Sequence, residues 1–150
     1  VSRGLGDVYK RQVYKGNKAH IDFKIQPLEG RITGDWNQLR FLLENLIDEA
    51  CSVTLDGAVC LSAREDGEFM RFLFTDMRRE KTREELNQLF YPDLSRMTAG
   101  EKGELYGTEY LVCKQIIRDH DEFAGRRGCR INAEPGKEGG FTIYFTLPKK

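Results

Sequence analysis

The stretch GAVCLSAREDGEFMRFLFTD, Gly57 to Asp76, holds two runs of alternating apolar and polar residues around Asp66-Gly67. Alternation with period two sends successive side chains to opposite faces, and Asp-Gly is a strong signal for a two-residue turn. A β-hairpin is therefore predicted, and its apolar face has to be covered by something else in the chain. GDWNQLRFLLENLIDEACSVT supplies one cover. Leu39, Leu42, Leu43, Leu46, Ile47 and Ala50 recur at helical spacing, giving one apolar stripe. Asp35 is a good N-cap, and Gln38 three residues on gives a capping-box arrangement. TEYLVCKQIIRDH reads as a second long helix capped by Thr108, and TREELNQLF as a short one with Thr82 and Glu85 in a capping box. HIDFKIQP reads as a strand ending before Pro27, and RGCRINAEPGKEGGFTIYFTLP as a closing hairpin around Pro135 to Gly140. Tyr91 to Tyr106 has little periodicity and reads as a long loop. Hairpins and two long helices together predict an α/β fold: a two-layer sandwich with a mixed, mainly antiparallel sheet covered on one face by helices.

The chain has 150 residues, enough for one domain with a core of its own. Its 24 basic and 24 acidic residues cancel, which gives no electrostatic case for nucleic acid or a membrane surface as partner. No apolar run is long enough to span a bilayer. Cys51, Cys60, Cys113 and Cys129 are widely spaced and read as reduced thiols, mostly in the core. The two histidines are isolated, so a zinc site is not expected. Asp7 to Gln12 can be encoded by GAT GTG TAT AAG AGA CAG, which resembles a transposon end used in sequencing libraries. Residues 1–12 are accordingly read as adapter-derived, and residues 13–150 as one domain whose reading frame continues upstream.

The order of elements and several local motifs resemble the ATPase domain of sensor histidine kinases. That domain belongs to the Bergerat-type superfamily that includes DNA gyrase and Hsp90. The resemblance runs from about Ala19 to Pro148. It is carried by GDWNQLRFLLENLIDEACSVT, by YGTEYLVCKQIIRDH and by the ending GGFTIYFTLP. The resemblance implies ATP and Mg²⁺ as cofactors and a set of site residues. Asn45 matches the first of two asparagines one helical turn apart that face the nucleotide, and Glu49 falls on the second, which helps hold Mg²⁺. Asp76 matches the aspartate that recognises the adenine amine. Gly107 is the one glycine kept in the phosphate-binding lid, and Thr108 follows it at a helix start.

The same matching exposes departures. Ser52 stands where a basic residue is common. Arg78 and Glu80 replace two glycines after the aspartate, where close backbone approach favours glycine. Leu105 and Glu109 replace two lid glycines. A carboxylate such as Glu49 can ligate Mg²⁺. Without metal, at about 4 Å from a phosphate charge, it would cost roughly 4 kcal/mol at an effective dielectric near 20, roughly a thousandfold in affinity. DEFAGRR, between His120 and Gly128, reads as an inserted surface turn whose Arg126 and Arg127 are solvated. His120 is expected to be structural, at a helix end that favours a cation.

Three functions are open on these residues. The first is the ATP-binding domain of a sensor histidine kinase-like protein, with an altered Mg-ATP site. It would act on an upstream dimerisation and phosphoacceptor domain and feed a response-regulator pathway. His20 lies in a predicted strand and lacks the helical context of a phosphoacceptor. The second is a pseudokinase-type interaction module that keeps the fold without ATP turnover. The third is an anti-sigma-like serine kinase. A cytoplasmic location is implied in each case, with any membrane attachment through upstream segments.

Overall fold

The computed structural model describes residues 21–25, 31–51, 55–91, 109–125 and 127–150. The expected assignments for residues 1–12, His20, Ser52, Leu105, Gly107, Thr108 and Arg126 lie outside these, as does most of the loop expected before Gly107.

Among the described residues five strands form one sheet, in the order β1-β2-β3-β5-β4. They are β1 (Ile21–Ile25), β2 (Gly57–Asp66), β3 (Phe69–Asp76), β4 (Ile131–Pro135) and β5 (Phe141–Pro148). β1 runs parallel to β2, and the other neighbours are antiparallel. The sheet is thus mixed and mainly antiparallel, as the sequence predicts. The first hairpin turns one residue later than expected. Asp66 pairs with Phe69, so Gly67 and Glu68 form the turn, and Gly67 supplies the positive φ of 61° that such a turn needs.

The register explains the core. Phe74 faces Leu61 on one side and Ile143 on the other, Phe72 faces Phe145, and Met70 faces Leu147. The Phe72 and Phe145 rings stack at 5.1 Å with 9° between planes, a favourable cross-strand pair. Residue 76 shares the parity of 70, 72 and 74. The row of buried side chains therefore ends in a carboxylate, and Asp76 is fully buried.

Helices α1 (Trp36–Cys51) and α3 (Glu109–Asp119) lie over this face. α1 buries Leu39, Leu42, Leu43, Leu46, Ile47 and Ala50, the six residues read from its periodicity. Cys113, Ile116 and Ile117 of α3 join the same cluster. Between β3 and α3 comes α2 (Arg83–Gln88), which has the reciprocal Thr82–Glu85 capping box. The four cysteines are free, with Cys113 and Cys129 buried and Cys51 and Cys60 half-buried.

At the start of α1, the Asp35 carboxylate accepts the N–H groups of Asn37 and Gln38 at 2.9 and 3.2 Å, so the predicted N-cap forms. The reciprocal half of the box is supplied differently. The Asp35 N–H donates to Nε2 of His120 at 3.1 Å. Nδ1 of the same ring lies 2.7 Å from the Ile116 carbonyl oxygen. With Nε2 accepting, the hydrogen-bond network assigns the ring proton to Nδ1. The fully buried His120 is structural as expected, but it is a neutral link between two helix ends rather than a helix-end cation. Just beyond it, the expected surface turn is a short helix, α4 (Asp121–Ala124), closed by Gly125 in the left-handed conformation.

Gly34 packs against this link. A Cβ there would lie 2.8 Å from both Cδ2 and Nε2 of His120. Because the ring is bonded at both nitrogens, it has no cheap way to move. Gly34→Ala is expected to destabilise the fold by about 1–3 kcal/mol, as overpacking does. A thermal melt within a degree of wild type would show that the link yields freely.

Candidate functional site

The site implied by resemblance lies where the C-terminal half of α1 meets the end of β3. Asn45 and Glu49 are half-buried on α1, one turn apart on one face. Asp76 ends β3.

Asp76 does not stand open. Its Oδ1 accepts the Arg78 backbone N–H at 3.0 Å and Arg78 Nε at 2.9 Å. Its Oδ2 accepts Arg78 Nη2 at 2.9 Å and Arg79 Nε at 3.0 Å. An ionised carboxylate offers about four lone-pair sites, and these contacts use them. The Arg78 fork is bidentate, the strongest geometry for this pair. The side chains of Arg78 and Asp76 are both fully buried. Burial by itself would raise the Asp76 pKa. The hydrogen bonds from Arg78 and the charges of Arg79 and Arg78 outweigh it, and they hold the carboxyl below its ordinary value.

Arg78 is anchored at its other edge as well. Its Nη2 donates to the Ala50 carbonyl at 2.6 Å, and its Nη1 to the Leu55 carbonyl at 2.9 Å. The last carbonyls of a helix lack intrahelical partners and carry the negative end of its dipole. α1 has no basic residue in its own last turn, so Arg78 supplies the cation from the neighbouring strand end. Gly57 makes room for this: a Cβ there would meet Arg78 Cγ at 2.8 Å. The guanidinium thus ties β3, α1 and the approach to β2 together.

Glu80, at the second replaced glycine, points elsewhere. Its Oε1 accepts the Gly140 N–H at 2.9 Å, across the loop between β4 and β5. Of the two replacements, only Arg78 enters the space beside Asp76.

Arg79 and Tyr110 complete the site; sequence reasoning offered Arg79 only as a basic residue without a position, and it missed Tyr110. The Arg79 guanidinium carbon lies 5.2 Å from the centre of the Phe141 ring, a cation–π contact. Burial raises the Tyr110 pKa and the Glu49 carboxylate adds to the rise, while the charge and hydrogen bond of Arg79 oppose it. Glu49 and Arg79 therefore both act on the Tyr110 hydroxyl. The first turn of α3 meets α1 and the end of β3 at this point, with Tyr110 also set edge-on to Phe90 at 6.1 Å.

The base end does not fit an adenine amine in this arrangement, because the acceptor that would receive it has no lone pair left. For the metal, Asn45 and Glu49 offer oxygens on one helix face. Among the described residues, no group of three or more His, Cys, Asp or Glu side chains could hold a metal by itself. No described helix is long and apolar enough to cross a membrane.

Comparison with known proteins places the fold. Residues 34–150 match the family model of the histidine kinase-, DNA gyrase B-, and HSP90-like ATPases, and the chain belongs to that family. It has the mixed α/β sandwich of Bergerat type. The catalytic domain of the histidine kinase ThkA is similar over 99% of this chain and 92% of that one, at 20% identity and a TM-score of 0.72. The ATP-binding domain of PrrB from Mycobacterium tuberculosis is similar over 99% of this chain and 93% of that one, at 18% identity and a TM-score of 0.69. A structure of ThkA in complex with the response regulator protein TrrA gives 21% identity and a TM-score of 0.72, over 100% of this chain and 40% of that one. No match to a curated protein is found by sequence.

Proposed function

We propose that the chain is the ATPase-fold domain of a sensor histidine kinase-like signalling protein whose nucleotide site is held closed at the base end by Arg78. One observation carries this reading: a fully buried guanidinium takes up the hydrogen-bonding capacity of Asp76. The family binds ATP through this domain, and the resemblance assigns Asp76 to the adenine amine. An amine approaching Asp76 here has to displace a bidentate ion pair that also caps α1.

Asn45 and Glu49 would face a bound Mg²⁺, and Gly107 and Thr108 would contact phosphate. Mg²⁺ would neutralise phosphate charge beside Glu49. The response-regulator pathway follows from the resemblance to histidine kinases, and the complex of ThkA with TrrA supports it. The upstream dimerisation and phosphoacceptor domain, and the reading of residues 1–12 as adapter-derived, belong to the same proposal. The pseudokinase-type reading is favoured by the same Arg78 contacts. With the base end closed, the domain transmits a signal through its surfaces rather than through turnover.

Calorimetry of Mg-ATP binding separates closed from open. A closed site gives a dissociation constant in the millimolar range or weaker, corresponding to about −4 kcal/mol or less binding free energy. Micromolar binding, about −8 kcal/mol, contradicts closure.

A further inference from the structure

A second feature lies away from Asp76. A groove of about 440 Å³ runs between α3, the α4–β4 connection and β4, the edge strand of the sheet. Lys114 and Arg118 line it from α3, one helical turn apart, and Arg127 and Arg130 line it from the connection between α4 and β4. In a chain of zero formal charge, this is a local concentration of cations. Among the described residues, no salt bridge neutralises any of them. Lys114 Nζ lies 5.5 Å from the centre of the Tyr91 ring. Among the described residues, Asp121 is the one carboxylate lining the groove. Its Oδ1 accepts the N–H groups of Gly128 and Cys129 at 3.0 and 2.7 Å. Asp119, also on α3, accepts from Gln115.

These contacts discriminate between anions. A compact phosphate favours converging backbone N–H groups, but here two such groups already hold Asp121. That carboxylate would also repel a small anion seated beside it. The cations come from two separate segments, α3 and the α4–β4 connection. Such an arrangement complements charge spread along a chain, and it steers association.

We infer that this groove is a docking surface for an acidic polypeptide segment of a protein partner. The inference is independent of the closed nucleotide site.

Fluorescence anisotropy with a labelled oligoglutamate peptide tests it, with the whole chain as receptor. The peptide binds at low salt, and affinity falls as salt rises, since exposed charges are screened over about 10 Å at 0.1 M. The double reversal Arg118→Glu/Arg127→Glu weakens binding by at least about tenfold, the factor that 1.4 kcal/mol represents. Reversal of the exposed Lys24 to Glu leaves it within about twofold, because that charge sits on β1, at the opposite edge of the sheet from β4, where exposed charges are screened. Circular dichroism establishes that each variant is folded. Equal affinity of the double variant and wild type overturns the inference. So does displacement of the peptide by millimolar inorganic phosphate, which points to a compact-anion site. Tighter binding of a single-stranded oligonucleotide of equal charge overturns the polypeptide assignment.

Discussion

Asp76→Ala is expected to lower the melting temperature by roughly 10 °C, far more than loss of a ligand contact would. The substitution leaves the Arg78 guanidinium buried without its carboxylate. Breaking a buried pair from one side typically costs about 3–5 kcal/mol, and each kcal/mol shifts a domain of this size by roughly 2–4 °C. No discount for solvent screening applies, since both side chains are fully buried. Removing both charges in Asp76→Ala/Arg78→Ala costs less than the sum of the single changes, because neither charge is then stranded. The pH dependence has a definite sign. The pKa of Asp76 is depressed in the folded state, so its contribution is fully present above the unfolded value of about 3.9. It is lost as pH falls through the lower folded value. Wild type therefore loses stability in that acid window, and Asp76→Ala loses less of it. Urea denaturation at several pH values measures both effects. A loss under 1 kcal/mol for Asp76→Ala would mean the pair is not the anchor described.

Arg78→Gly acts in the opposite direction on binding. It returns a glycine to a position where the family has one, and it leaves Asp76 in place with lone pairs exposed. A hydrogen bond to a charged acceptor contributes about 1.5–3 kcal/mol, which corresponds to at least about tenfold in affinity. ATP affinity is expected to rise by that factor even as stability falls, since the α1 carbonyl of Ala50 loses its donor. The gain is specific to adenine if Asp76 reads the amine. A nucleotide with a carbonyl in place of the amine gains nothing. The comparison is made well below the lowered melting temperature, with the folded fraction checked by circular dichroism. An unchanged dissociation constant would mean that Arg78 does not occupy the base position.

The sandwich was legible because burial follows period. The α1 stripe from Leu39 to Ala50 and the alternation in β2, β3 and β5 fall on the buried face where the pattern puts them. The position of Asp76 was legible too, from motif order and from its parity with Phe72 and Phe74. The fate of Arg78 was not, because composition shows a charge but not the direction its side chain takes. Two signals pointed toward it without deciding it. α1 ends without a basic residue of its own, and Gly57 opens β2 with no side chain to block the approach. Chemistry at the remaining positions was less legible. Glu80 binds a backbone N–H 60 residues away in sequence, a contact set by how two loops meet. His120 kept its structural role but lost its charge, since the N-cap N–H it receives from Asp35 comes from 85 residues away. Such long-range partners leave no local trace.

The most direct measurement is nitrogen-15 NMR of the Arg78 side chain in the wild-type protein. A guanidinium buried between Asp76, Ala50 and Leu55 predicts a slowly exchanging Nε–H, shifted by its bond to the carboxylate and unmoved by millimolar Mg-ATP. An Nε–H that exchanges freely with water, or one that micromolar ATP releases from Asp76, would contradict a site closed by its own arginine.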